Sequence, residues 1–307
     1  MAEQKKIDVV IPAYKPGEKF QKLIKMLQKQ TYPIHEILIM NTEKAYFPEA
    51  SVAGLPNVRV EHLTRAEFDH GGTRDKAAGL LSGDFFLFMT QDAVPADTYL
   101  VEKLAGAFDD EKVDAAYARQ LPNPDCSVIE RYTRSFNYPD APSVKTKKDL
   151  PKYGIKTFFC SNVCAMYRAE NYWRLGGFEK KTIFNEDMIF AGKIILNGGG
   201  IAYVPEARVI HSHNYGNIEQ LRRNFDLAVS QAEHPELFAM ASSESEGMKL
   251  VKQTTRYLIK SGHPWLIPEL VIKSGFKFIG YRLGKAYQKL PRGLVKRLSM
   301  NKSYWEK

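Results

Sequence analysis

The stretch DFFLFMTQDA, residues 84–93, decides the fold. After Asp84, five apolar residues in succession read as a short buried strand, and Thr90-Gln91-Asp92 then breaks the run before Ala93. A carboxylate just beyond such a strand is either the cap of a turn or part of a site. The flanking segments indicate the kind of sheet in which the strand lies. Upstream, Gly72 to Leu81 is predicted as a helix that stops at Ser82-Gly83. Earlier still, Ile7 to Pro12 reads as a first strand, Lys15-Pro16-Gly17 as a turn, and Phe20, Leu23, Ile24 and Leu27 as one face of an amphipathic helix. Glu36 to Met40 and Val58 to His62 supply two further strands. Strands alternating with helices imply an α/β fold on a mostly parallel sheet, in which ligands bind beyond the carboxyl ends of the strands. Asp92 lies just past one of those ends.

Beyond residue 100 the pattern loosens. Asp114 to Arg119 reads as another strand, while 122–155, rich in Pro, Tyr, Lys and Asp, reads as a long surface excursion of the kind that forms lids or acceptor loops. Phe158 to Tyr167 resumes an apolar run, Glu186 to Leu196 is predicted helical and ends at Gly198-Gly199-Gly200, and Ala207 to Ile210 is strand-like.

With 307 residues, 44% of them hydrophobic, the chain can bury a large core and is not disordered. Cys126, Cys160 and Cys164 are odd in number and lack zinc-site spacing, which points to reduced structural thiols. No stretch approaches the ~20 apolar residues of a membrane span. Met1 to Lys6 runs into the first strand without a charged-then-apolar leader, so the cytoplasm is the expected compartment. The net charge of +9 is unevenly placed: residues 251–307 hold 13 Lys/Arg against Glu269 and Glu306, a balance of +11, so the rest of the chain carries −2.

Three polar features interrupt apolar surroundings: Thr90-Gln91-Asp92, Asn185-Glu186-Asp187 and His211-Ser212-His213. Each has an ordinary structural reading. Asn185 makes a good N-cap, Glu186 and Asp187 suit the first turn of a helix, and a post-strand Asp caps turns. Taken together they admit chemistry. An Asp and a His at strand ends are suitable ligands for Mg²⁺ or Mn²⁺, which would take its other ligands from a substrate diphosphate. A separate carboxylate, for which Asp187 is the candidate, would take a proton from an attacking hydroxyl.

In this order and spacing, VVIPAYKP (9–16), GGTRDKAAGLLSGDFFLFMTQDA (71–93), GGFEKKTIFNEDMIFAGKI (176–194) and IHSHNY (210–215) resemble the inverting glycosyltransferases of family 2, with the GT-A fold and its Rossmann-like mixed sheet. More narrowly, FDHGGTRDKA (68–77) resembles the bacterial rhamnosyltransferases among them. The resemblance implies a nucleotide-diphospho-sugar donor bound by Pro12, Ala13, Tyr14, Thr42, Glu43, Arg74, Gln91 and Asp92. It implies Asp187 as general base, Glu186 and Asn162 on the acceptor side, and Asp92 with His211 or His213 at a divalent metal. Many relatives have two acids where this chain has Gln91-Asp92, and an acidic pair where it has Asn41-Thr42-Glu43. The implied reaction moves L-rhamnose from dTDP-β-L-rhamnose, or a hexose from a UDP-sugar, to a glycan or lipid-linked glycan in cell-surface polysaccharide synthesis. A nucleotidyltransferase is disfavoured because IPAYKPGEKF (11–20) offers a single glycine for gripping a triphosphate.

The implied catalytic domain spans 1–250, with a nucleotide-sugar half to about residue 120 and an acceptor half after it, followed by a basic helical extension, 251–307. Residues 268–290 read as one amphipathic helix with an apolar stripe of Ile272, Phe276, Ile279, Leu283, Ala286, Tyr287 and Leu290. Lys273, Lys277, Arg282, Lys285 and Lys289 fall off that stripe, with Phe278 and Tyr281 among them. Two readings stand level: the stripe packs on the domain, or 268–297 meets an anionic membrane, which would place the protein on the inner face of the cell membrane. No nucleic-acid module is visible, so nucleic acid is not an expected partner. A non-enzymatic basic scaffold is the reading furthest from these.

Overall fold

The protein is described here from a computed structural model, over residues 4–240 and 243–306. Residues 1–3 and Lys307, which enter the reading of the N-terminus and the charge of the tail, lie outside the described residues. Nine strands form one sheet: β1 (Ile7–Tyr14), β2 (Glu36–Thr42), β3 (Val58–Leu63), β4 (Phe85–Met89), β5 (Val94–Pro95), β6 (Val113–Leu121), β7 (Ser143–Lys145), β8 (Cys164–Arg168) and β9 (Gly200–Ile210). Their order is β3-β2-β1-β4-β8-β6-β9-β5, with β7 beside β9. β3, β2, β1 and β4 are parallel; β8 runs against both β4 and β6, and β9 runs parallel to β6. The sheet is therefore mixed, and the carboxyl ends of β1, β2, β4, β6 and β9 share one edge with the start of β8.

β4 shows why its sequence lacks alternation. Phe86 and Phe88 enter one core with Tyr167, Tyr172 and Phe178, while Phe85, Leu87 and Met89 enter a second with Ile11 and Leu104. Both faces are covered, so no position is left for a polar side chain until the strand ends at Thr90.

The helices are α1 (Glu18–Leu27), α2 (His70–Ala78), α3 (Leu100–Gly106), α4 (Val128–Asn137), α5 (Leu150–Tyr153), α6 (Ala169–Arg174), α7 (Glu186–Leu196), α8 (Asn217–Glu233), α9 (Pro235–Phe238), α10 (Ser243–Lys260), α11 (Ile267–Lys285) and α12 (Arg292–Leu298). α2 begins two residues before its predicted start because the Asp69 carboxylate accepts from the Gly71 and Gly72 amides, at 3.1 and 2.9 Å. A Cβ on Gly71 would come within 1.9 Å of the Glu179 carbonyl oxygen, so the glycine lets α2 lie against the segment that leads to α7.

Three expectations are corrected. Asn185 does not cap α7: it is left-handed at φ 62°, and its Nδ2 donates across to Leu227 O in α8 at 3.2 Å. The 122–155 excursion is partly regular, containing α4, β7 and α5, with Ser127 capping α4 through the Glu130 amide. Residues 268–290 are not one helix, since α11 ends at Lys285 and a short 3-10 turn, Tyr287–Lys289, follows.

The buried face of α11 is also displaced from the apolar stripe. Gly280 and Gly284 make its closest approach to α8: a Cβ on Gly280 would stand 2.2 Å from Leu221 O, and one on Gly284 2.3 Å from Phe225 O. Lys273 and Lys277, which the stripe leaves outside, fall on this inward side and are only partly exposed. Ile272 and Ile279 from the stripe, with Val271 and Phe278, are about half exposed. At ~100° per residue the burial axis is turned roughly a quarter of the helix circumference from the stripe. Leu283, Tyr287 and Leu290 do pack, against Phe225 and Val229 of α8. The glycines decide the rotation, because contact with a backbone carbonyl brings α11 closer than any large side chain would allow.

Candidate active site

The three polar interruptions meet at the shared edge of the sheet. Asp92, in the turn after β4, lies with Oδ1 3.6 Å from His211 Nε2 and Oδ2 3.4 Å from His213 Nε2. His211 and His213 follow the end of β9, and their Nε2 atoms are 3.0 Å apart. One ligand atom from each of the three residues falls within 4.8 Å of the others, the single such His/Cys/Asp/Glu group among the described residues.

The histidine chemistry is set from behind. Gln120, near the end of β6, accepts through Oε1 from Arg134 of α4 and lies 3.0 Å from His211 Nδ1. An oxygen facing Nδ1 requires the proton there, which leaves the His211 Nε2 lone pair aimed at Asp92 and His213. Burial, with His213, Arg134 and Arg223 adding to it, holds His211 far below the usual imidazole pKa; burial likewise lowers His213 against the pull of Asp92. Two neutral imidazoles with facing nitrogens and a carboxylate between them form a donor set suited to a divalent cation.

The second cluster is built on α7. Arg74 of α2 pairs with Glu186 Oε1 at 3.2 Å and donates to His70 O at 2.7 Å. Asn162 Nδ2 donates to Glu186 Oε1 at 3.2 Å, and the Asn162 amide donates to Asp187 Oδ2 at 3.1 Å. Asn162 Oδ1 accepts from the Tyr167 hydroxyl, 2.8 Å away, which fixes the orientation of its amide. Adjacent carboxylates are thereby split. Burial works to raise Glu186, but Arg74, then His70 and Asn162, outweigh it and hold the group below its ordinary range. Burial and then the charge of Glu186 push Asp187 up to about 7, against the Asn162 and Met188 amides. Glu186 is thus a fixed anion and Asp187 a proton acceptor poised near neutrality.

Ser161, Asn162 and Val163, at the start of β8, join the two clusters. Ser161 Oγ lies 3.1 Å from Gln120 Nε2, the Asn162 amide holds Asp187, and Val163 O accepts from Thr90 N at 3.2 Å. Three consecutive residues therefore touch the histidine support, the proton acceptor and the Asp92 turn.

Other predicted residues take more specific places. Gln91 exchanges two hydrogen bonds with the Tyr14 backbone, its Oε1 accepting from Tyr14 N and its Nε2 donating to Tyr14 O, both at 2.9 Å. A carboxylate could accept there but not donate, which gives the glutamine in place of a second acid a physical reason. Pro12 lies near the end of β1 and Ala13 turns into the core, so Ala13 offers its backbone alone. Glu43, at φ 65°, accepts from Arg65 N at 2.7 Å. Asn41 Oδ1, Thr42 Oγ1, Thr90 Oγ1 and Arg74 Nε are buried without partners, an arrangement costing about 1–3 kcal/mol each unless a ligand satisfies them. Gln120, Ser161, Arg134 and Tyr138, which hydrogen-bonds Gln120, were not among the predicted site residues. Gln120 carries the same signal as Asp92, a polar residue at the end of an apolar strand.

The glycosyl transferase family 2 profile matches residues 8–176, more than half of the chain. The chain is 36% identical over 302 residues to the O-antigen chain rhamnosyltransferase RfbN of Salmonella typhimurium, covering 98% of this chain and 96% of that one. It is also 36% identical to the O-antigen chain rhamnosyltransferase WbaN of Salmonella anatum over 300 residues, 97% of this chain and 95% of the relative. Among solved structures, the mannosyltransferase PcManGT of Pyrobaculum calidifontis, in complex with GDP-Man and Mn²⁺, superposes with a TM-score of 0.57 at 14% identity, over 99% of this chain and 86% of that one. Residues 1–349 of TarS from S. aureus, in complex with UDP-GlcNAc, give 0.54 at 15% identity over 92% and 91%. The chain belongs to glycosyl transferase family 2 and is a glycosyltransferase of the GT-A fold.

Proposed function

We propose that the protein transfers L-rhamnose from dTDP-β-L-rhamnose, with inversion, to a lipid-linked glycan in cell-surface polysaccharide synthesis. The observation that carries the reading is the pairing of two unlike clusters through Ser161–Val163: an Asp92/His211/His213 ligand set and a proton acceptor, Asp187, held in register with it. The rhamnosyl donor is supported by the two Salmonella relatives, each named as a rhamnosyltransferase and matched over nearly its whole length. The nucleoside is assigned to the ends of β1 and β2, where exposed Tyr14 and Tyr46 stand edge to face and Asn41 and Thr42 hold unpaired polar atoms. Asp92, His211 and His213 are assigned to Mg²⁺ or Mn²⁺, which when bound supplies positive charge for the departing diphosphate. Asp187 takes the proton of the acceptor hydroxyl as that oxygen attacks the anomeric carbon from the side opposite the diphosphate. Arg74 and Asn162 keep Glu186 charged, and Glu186 in turn keeps Asp187 basic enough for this role.

Residues 251–307 are assigned to an extension that holds the catalytic domain, 1–250, against the inner face of an anionic membrane. No helix among the described residues is long and apolar enough to cross one. The function is tested by measuring nucleotide diphosphate release from dTDP-rhamnose, UDP-glucose and GDP-mannose, with and without Mn²⁺, in the presence of lipid-linked acceptor extract. Release from dTDP-rhamnose that depends on added metal is expected; release from UDP-glucose alone would overturn the donor, and release unaffected by a chelator would remove the metal.

A further inference from the structure

α11 leaves part of its apolar surface outside. Its apolar residues Val271, Ile272, Phe278 and Ile279 are 58%, 52%, 58% and 49% exposed, while Lys273 and Lys277 lie on the side that faces the protein. Trp265, just before the helix, is 68% exposed on the outer side. A helix in water hides its apolar residues and shows its lysines. This arrangement suits a position where the outer medium is apolar and the inner side meets negative charge.

The inner side holds more cations than acids. Arg223 of α8 lies over the rings of Phe184 and Tyr215, at 4.6 and 5.8 Å, and makes no ion pair among the described residues. Tyr215 stacks on His213 at 4.8 Å, so Arg223 is one ring removed from the histidine pair. Arg134 reaches the same pair through Gln120. Lys277 precedes Gly280 by one turn on the face that meets α8, and has no ion pair or hydrogen bond among the described residues. Glu130, paired with Arg134 at 2.7 Å, and Asp226, which feels the Arg223 charge and accepts from the Met300 and Asn301 amides, are the acids in the group, and Lys273 is already matched by Glu269 at 2.6 Å. Arg134, Arg223 and Lys277 against Glu130 and Asp226 leave a local excess of positive charge, 3 − 2 = +1. Burial, with Lys273, Arg223 and Arg134 acting in the same direction, lowers the Lys277 pKa against the pull of Glu130.

We infer that Arg134, Arg223 and Lys277 form a second anion site, beside the histidine pair, that takes the diphosphate of a lipid-linked acceptor while the outer ridge of α11 lies in the bilayer carrying that lipid. A diphosphate diester brings about two negative charges, opposite in sign to the cluster, and an apolar chain that leaves beside Phe278 and Ile279. The site rests on the acceptor class proposed above and is separate from the donor diphosphate assigned to Asp92. It places the lipid carrier on α4, α8 and α11, so the C-terminal extension contributes to substrate binding as well as to attachment.

Binding of farnesyl diphosphate to the full-length protein, saturated with dTDP and Mg²⁺, tests the site by titration calorimetry. Binding that survives dTDP is expected, and Arg223→Gln and Lys277→Gln should each weaken it by about tenfold or more. Arg223→Lys, which keeps the charge over Phe184 and Tyr215, should recover most of the loss and separates charge from packing. Inorganic pyrophosphate should bind more weakly than farnesyl diphosphate and respond to the same variants, whereas Phe278→Ser should weaken the farnesyl compound alone. One-for-one displacement by dTDP, or unchanged binding in both glutamine variants, would overturn the site; pyrophosphate binding as tightly as farnesyl diphosphate would overturn its lipid character. If no donor sugar is turned over but the variant-sensitive binding holds, the transferase reading fails and the anion site stands.

Discussion

α1 and α11 both carry apolar residues at helical spacing, sharply segregated in α1 and spread around more of the circumference in α11, and they meet different fates. In α1, Phe20, Leu23, Ile24 and Leu27 are all buried against the sheet, and the lysines between them face water. In α11, part of the stripe is left outside while Lys273 and Lys277 turn inward. Periodicity identifies which face of a helix is apolar; it does not say what covers that face. For α1 the cover is the parallel sheet that the preceding turn delivers it to. For α11 the position is set by backbone contact at Gly280 and Gly284, and the apolar ridge is left to whatever medium lies outside. The contrast divides the molecule into a sheet edge that gathers the candidate catalytic residues and a helical extension that leaves an apolar ridge exposed.

The largest expected effect lies on the sheet side. Asp187→Asn removes the proton acceptor and should lower kcat by about 10²–10⁴-fold, with donor binding and sedimentation with anionic vesicles unchanged. A loss of vesicle binding in this variant would show that the two regions are not separable. The same group gives the pH dependence. With Asp187 raised to about 7, the proposed role as base needs its deprotonated form, so turnover should fall as pH drops below about 7 and level off above it. A profile flat from pH 5 to 8 would exclude Asp187 as the base. Next in size, Leu23→Ala on α1 should cost about 2–5 kcal/mol of folding stability in urea titration, as expected for a buried leucine. Gln120→Leu should weaken Mn²⁺ binding by about 10–100-fold, because His211 loses the partner that fixes its protonated nitrogen; unchanged affinity would show that the tautomer is set elsewhere.

What could be read from the sequence follows the range of the forces involved. β1 to β4 and α1 are specified by neighbours within ten residues, and they lie where the pattern puts them. Asp92 and the histidines were visible because polar residues interrupt apolar strands. The support behind them was not, since Gln120 reaches Ser161 and His211 across 41 and 91 residues and no local pattern encodes such a pairing. Asn185 misled for a related reason: a residue type suited to capping sits beside α8, and a long-range carbonyl captures its amide. Gln91 was readable as a departure from its relatives but not as a clamp, because the Tyr14 backbone that it holds is 77 residues away. The rotation of α11 depends on two glycines that an apolar pattern counts as blanks.

The smallest expected effect on stability is the most informative about the extension. Ile272→Ser and Phe278→Ser each remove an apolar side chain that is already about half in solvent, so folding stability should change by no more than about 0.5 kcal/mol. If the ridge were an ordinary imperfection of packing, nothing else would change. If it lies in a bilayer, the double variant should lose sedimentation with vesicles containing anionic lipid while turnover of a water-soluble acceptor analogue is retained. Neutral vesicles should bind the wild-type protein less well, because Arg282, Lys285, Lys289 and Arg292 flank the ridge and each cation near an anionic surface is worth about 1 kcal/mol. Equal binding to neutral and anionic vesicles would assign attachment to the apolar ridge alone. Wild-type binding by the double variant would return the ridge to water and leave the inward lysines as the only anomaly of α11.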